Sequence, residues 1–138
     1  MTDVAKSIQK VLLGTTLMSS VTTHNRLKEL ATVFGTSEDL ISRLAISYSL
    51  QQGPLPENWQ PARLEGSMDV LTGKSIRGST MFKEDLSLFL VMLAHHEPDA
   101  KIEDARELFT GHWERGVERL LLFHQGEDWV QLLHRLIE

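Results

Sequence analysis

Six histidines, at positions 24, 95, 96, 112, 124 and 134, are the residues to weigh first for metal or acid–base chemistry. No two stand four apart on one helical face, and no compact carboxylate–histidine motif supplies a general base, so structural and surface roles outweigh zinc ligation. His112 is set apart by Arg115 one helical turn later. The pair could orient a polar contact at a subunit or partner interface, or His112 could be a buried, hydrogen-bonded residue. Serine, histidine and aspartate occur without a strand-turn-helix nucleophile elbow, and no spacing sets a base against a serine. Cysteine is absent, which removes disulfides, thiolate zinc sites, iron–sulfur clusters and a cysteine nucleophile together. A nicking or phosphodiester-cleaving activity would need a cluster of metal-binding acids or a positioned nucleophile, and the sequence assembles neither. A non-catalytic chain without metal or cofactor is the expectation.

Phosphate chemistry is the second theme. Gly73-Lys74-Ser75 resembles the end of a nucleotide-binding loop, but that motif needs a glycine where Met68 stands, and Gly66 comes two residues too early. A looser arrangement keeps the phosphate: backbone N–H groups near Gly73 and Gly78 could cradle a DNA phosphate while Lys74, Arg77 and Lys83 add charge-assisted contacts. The alternative for the same stretch is a solvated surface loop. Arg26, Lys28 and Arg43 form a second candidate surface, because they lie off the apolar stripes of their predicted helices; ordinary solubilising charge is the competing account. Of Trp59, Trp113 and Trp129, the last two sit in apolar helical patterns, which leaves Trp59, between prolines, available to a partner.

These side chains need a scaffold, and 138 residues suffice for one domain, residues 1–138, with a core of its own. The stretch Val11-Leu12-Leu13 is too short for a signal-peptide core or a membrane span, so a cytoplasmic protein is expected. Net charge is −5, the wrong sign for coating DNA by bulk attraction. There are 9 basic against 10 acidic groups up to Glu97 and 5 against 9 beyond it, so the excess acid is C-terminal. The linker-like stretch is Gln51 to Pro56, extending toward Pro61.

Periodicity predicts a first helix over Asp3–Leu13 ended by Gly14, then an extended segment or brief strand within Thr15–Val21. A second helix should run from Thr23 to Val33 or Phe34 and stop at Gly35. Thr36 or Ser37 should cap a third, with Leu40, Ile41, Leu44, Ala45 and Tyr48 inward. Met68–Met81 reads as loop or irregular extended chain. Glu84–His96 is apolar nearly all round, which marks a central core helix, one shared with a partner subunit, or both. Ile102–His124 carries the stripe Ala105, Phe109, Trp113, Gly116, Val117, Leu120 and Leu121, with Gly116 where another backbone could approach closely. A final helix should span Asp128–Ile137. The predicted fold is all-α: a compact single-domain helical bundle of about six helices, with room for one short N-terminal strand.

Three blocks, in order, resemble the DndE family of DNA sulfur modification proteins, over about residues 16–122. They are Arg26-Leu27-Lys28-Glu29-Leu30 with Gly35-Thr36 and Leu40 to Leu50; Gly73-Lys74-Ser75-Ile76-Arg77-Gly78-Ser79-Thr80 with its following apolar helix; and Gly111-His112-Trp113-Glu114-Arg115-Gly116-Val117. Where family members tend to be basic before the glycine ending the second helix, this chain has Ala31-Thr32-Val33-Phe34. The resemblance implies a small helical homo-oligomer that associates with double-stranded or nicked DNA. It also implies work beside DndB-like, DndC-like and DndD-like proteins in phosphorothioation, where sulfur replaces a non-bridging backbone oxygen. On this footing Lys74, Arg77, Lys83, Arg26, Lys28 and Arg43 would meet nucleic acid, and His112, Arg115 and Gly116 would serve an interface. The alternative is a purely protein-binding adaptor subunit whose acidic C-terminal region meets a basic partner.

Overall fold

Capping residues set the helix boundaries of the structure, a computed structural model that describes residues 3–62 and 72–126. Helix α1 (Asp3–Gly14) leads into a three-residue strand, β1 (Thr16–Met18), within the stretch expected to hold one. Helix α2 (Val21–Phe34) starts two residues before the predicted Thr23, because the Ser20 hydroxyl accepts the Thr23 N–H at 3.1 Å and closes the first turn. It ends at Gly35, whose φ of 64° is the left-handed conformation that glycine adopts without cost. Ser37, rather than Thr36, caps α3 (Glu38–Gln51), with Glu38 and Asp39 in its first turn.

The buried arc of α3 is rotated from the predicted one. Leu40 is 47 % exposed, while Ser42 and Ser49 are fully buried beside Ile41, Ala45, Ile46 and Tyr48. Hydropathy misplaces the arc because both serines are satisfied by side chains of the last described helix, so their hydroxyls enter the core without an unpaired polar group.

Met68–Met81 reads from the sequence as loop or irregular extended chain; its described part holds an extended segment, strand β2 (Ser75–Arg77), but also a short helix, α4 (Gly78–Phe82), which that reading excludes. Strands β1 and β2 pair antiparallel as Thr16↔Arg77, Leu17↔Ile76 and Met18↔Ser75, with Leu17 and Ile76 pointing into the core. Backbone bonds from Gly78 N–H to Thr15 O (2.7 Å) and Ser19 N–H to Lys74 O (2.9 Å) extend the ladder at both ends. A 3-10 turn, Lys83–Asp85, then enters α5 (Leu86–His96), and another, Ile102–Asp104, enters α6 (Ala105–Gly126). The predicted final helix, Asp128–Ile137, lies outside the described residues.

Helix α6, not α5, is central. Its predicted stripe is buried throughout, from Ala105 to Leu121. Phe109 meets Phe82 of α4 with ring centroids 4.8 Å apart, and Phe82 meets Phe89 of α5 at 5.2 Å. Helix α5 contributes Leu86, Phe89 and Leu93 to this core, yet Leu88 and Val91 on its far side are 57 % and 66 % exposed. Composition misleads here: α6 carries many charges, but each inner one is consumed by a neighbouring segment, whereas the outer apolar side of α5 has no covering element among the described residues. The architecture is mostly helical, as the periodicity predicted, and adds a second strand that completes one two-stranded sheet, which the periodicity did not predict. No helix among the described residues is long and apolar enough to cross a membrane.

Candidate functional site

Cations without a carboxylate partner collect around the short helix α4. Arg77 immediately precedes it on the outer face of the sheet, and Lys83 immediately follows it; both are exposed. Arg43, projecting from α3, lies against the end of α4 with Nη1 3.5 Å from the carbonyls of Thr80 and Met81, where a cation meets the negative end of a helix. Arg43, Arg77 and Lys83 make no ion pair among the described residues. Lys74, just before β2, is half-buried, its Nζ 3.5 Å from Glu38 at the start of α3. Lys28 is exposed on α2. The backbone at Lys83 has φ 50°, a conformation uncommon outside glycine, yet a lysine stands there.

Two expectations about this region are corrected. Two of the backbone N–H groups expected to cradle a phosphate are already taken: the Gly78 N–H donates to Thr15 O and the Lys74 N–H to Ser19 Oγ. The glycines serve packing. A Cβ on Gly73 would lie 1.8 Å from Ser19 O, and one on Gly78 would lie 1.8 Å from Leu12 O. Arg26, expected off the apolar stripe, is 5 % exposed. Its Nη2 donates to Ala62 O and lies 3.6 Å from Glu118. Burial pushes its guanidinium below the ordinary arginine range, with Glu118 and Glu114 opposing. Arg26 therefore anchors the segment before residue 63 and presents no cation to solvent.

His112, Arg115 and Gly116 sit at an interface, but an internal one, between α3 and α6. His112 is fully buried, and its Nε2 lies 2.8 Å from Glu97 Oε2 at the end of α5. A carboxylate only accepts, so Nε2 carries the proton, and in the neutral ring Nδ1 accepts from the Ser49 hydroxyl at 2.8 Å. Ser49 Oγ in turn accepts the Arg115 Nε–H at 2.8 Å. The rest of the Arg115 fork donates to the carbonyls of Ser49 and Gly53 at 2.6 Å and Pro54 at 3.2 Å, closing the end of α3. Burial lowers the His112 pKa; the Glu97 hydrogen bond opposes this and the Arg115 charge assists it. Burial likewise lowers that of Arg115, assisted by Arg119 and opposed by Glu97. Gly116 admits the α3 backbone, since a Cβ there would lie 1.9 Å from Ala45 O.

Ser49, His112 and Glu97 thus form a hydroxyl–imidazole–carboxylate chain that sequence reading missed, because its members are 63 and 15 residues apart. The serine is fully buried and its oxygen is occupied by Arg115, so the chain has the order of a nucleophilic triad without a place for a substrate. Its role is to fix the Gln52–Ala62 segment: Glu97 Oε2 also accepts the Leu55 N–H at 3.0 Å, Arg119 donates to Gln52, and Glu118 accepts the Ala62 N–H. The same helix ties down the first strand and the second helix, through Arg106 to Thr16 O and Glu114 from the Ser20 N–H. No group of three or more acidic or histidine side chains among the described residues could hold a metal ion.

No protein-family model and no curated protein matches the chain. Among solved structures it is similar to the crystal structure of DndE from Escherichia coli B7A, described as involved in DNA phosphorothioation modification. The TM-score is 0.58 at 20 % sequence identity, over 78 % of this chain and 97 % of that one. That overlap leads to one conclusion: the chain carries a DndE-like fold.

Proposed function

We propose that this chain is a non-catalytic, DNA-associated component of a DNA phosphorothioation system, binding duplex or nicked DNA and docking the modification machinery as an oligomer. The observation that carries this reading is the set of unpaired cations flanking α4 (Arg43, Arg77 and Lys83) on a fold shared with a protein of that system. Lys74 extends the face, Lys28 adds an exposed cation on α2, and Lys83 stands at a backbone conformation that costs a non-glycine residue some strain. The contact is to phosphate and reads no base, since the cations stand singly around a five-residue helix and the edge of a two-stranded sheet. Oligomerisation is supported by the outer side of α5, where exposed Leu88 and Val91 adjoin an apolar hollow of about 300 Å³ bounded by Leu90, Ala94 and Ile102.

Binding of the full chain to intact, nicked and single-stranded DNA across a salt series tests this, with a Lys74→Ala/Arg77→Ala/Lys83→Ala variant alongside and the oligomer mass measured in parallel. The expected result is salt-sensitive duplex binding whose logarithmic slope falls by about 2–3 in the variant, at about 0.9 per lost phosphate contact. A folded oligomer that binds none of the three DNAs would sink direct contact and leave the protein-binding adaptor, which the −5 charge favours.

A further inference from the structure

Opposite in character to the cationic face is a groove of about 520 Å³ between the Leu55–Gln60 stretch and the first turns of α6. Glu57, Asp99, Asp104 and Glu107 line it and are exposed; none forms an ion pair among the described residues, and no lysine or arginine lines the groove. These carboxylates do not converge closely enough to hold a metal ion, so the charge they attract must itself be spread out. Between them the groove offers half-buried Trp59 and the apolar Leu108. Carboxylates beside an aromatic ring and aliphatic side chains match the guanidinium of an arginine and its methylene stem, and repel a nucleic acid.

The groove is also held in shape. Its inner wall is Glu97, fixed by His112 and by the Leu55 N–H, and its rim follows a turn whose Gly53 and Pro54 carbonyls are gripped by Arg115. Leu55 packs over Gly111, where any Cβ would lie 2.5 Å from its Cδ1. A recess held this way loses little freedom on binding. We infer that this groove docks an extended, arginine-bearing segment of a partner protein, seated over Trp59 between the Glu57 side and the Asp104/Glu107 side. The inference rests on the docking half of the proposed function and is independent of its DNA half.

The test is fluorescence anisotropy of a labelled eight-residue arginine–glycine repeat peptide titrated with the full chain. Saturable binding is expected, weakened about tenfold by Trp59→Ala, as befits loss of a partly desolvated cation–π contact. Asp104→Asn/Glu107→Gln should weaken it comparably, while Trp59→Phe restores most of the loss. The control Glu84→Gln/Asp85→Asn removes two charges elsewhere and should leave affinity within about twofold, as screened distant charges do. Equal weakening by both double variants would show that the peptide senses net charge alone, and absence of saturable binding would overturn the groove as well. The Lys74/Arg77/Lys83 variant must keep peptide binding, so failure of the DNA reading and failure of this one are told apart.

Discussion

Gly116→Ala adds one methyl group at the close crossing of α3 and α6, and its cost follows from the contact geometry. The new Cβ would lie 1.9 Å from Ala45 O, 2.4 Å from Ala45 C and 2.8 Å from Ala45 Cα. The first distance is about 1.5 Å short of ordinary van der Waals contact, and its partner is backbone that cannot rotate away. Helices α3 and α6 must therefore separate. A shift of that size breaks the Trp113 Nε1–H to Ser42 Oγ bond of 2.9 Å and the Arg115 Nε–H to Ser49 Oγ bond of 2.8 Å. Overpacking costs about 1–3 kcal/mol, two buried hydrogen bonds add about 1 kcal/mol each, and the better helix propensity of alanine returns about 1 kcal/mol. The net is roughly 2–4 kcal/mol, a large share of a typical domain stability of about 5–15 kcal/mol. Urea unfolding at 25 °C followed by circular dichroism measures it. Gly111→Ala, five residues earlier in the same helix, is the internal control, because its Cβ meets only the flexible Leu55 side chain; it should fall within about 1 kcal/mol of the parent. Equal midpoints for the two variants, or a stabilised Gly116→Ala, would refute the close-crossing account.

Arg115→Lys should destabilise by about 2–4 kcal/mol, since an ammonium with three donors on one nitrogen cannot span the four acceptors Ser49 Oγ, Ser49 O, Gly53 O and Pro54 O; limited proteolysis should then cut first within residues 52–62. His112 is held neutral by burial, with its folded pKa below the unfolded value of about 6.5. The unfolded chain therefore binds more protons as pH falls through that value, and stability should decline below about pH 6.5. His112→Gln should be less stable at pH 7.5 but show a flatter decline, measured by urea midpoints from pH 7.5 to 5. Lys83→Gly should gain about 1 kcal/mol by relieving a positive-φ lysine while weakening DNA binding; a loss of stability would remove the strain argument. Arg26→Gln should lower the melting temperature, whereas Lys28→Ala should stay within about 0.5 kcal/mol of the parent, because the first side chain is buried against Ala62 and the second is exposed.

Helical periodicity and local residue types by themselves determined the mostly helical character, the stripe from Ala105 to Leu121, the end of the second helix at Gly35 and the extended segment after Gly14, because these are signals carried by residues close together in sequence. It also marked Gly116 as a close approach and left a buried, hydrogen-bonded His112 open. Tertiary structure decided what those signals could not. Strand β2 exists because β1, some sixty residues earlier, offers a ladder to pair with. Ser42 and Ser49 are core residues because Trp113, His112 and Arg115 reach them. Arg26 looked like surface charge until Glu118 and Ala62 enclosed it, and α5 looked central until α6 took that place. In each case the deciding partner is far away in sequence, and whether a polar group is buried depends on finding that partner, not on the residue's own hydropathy.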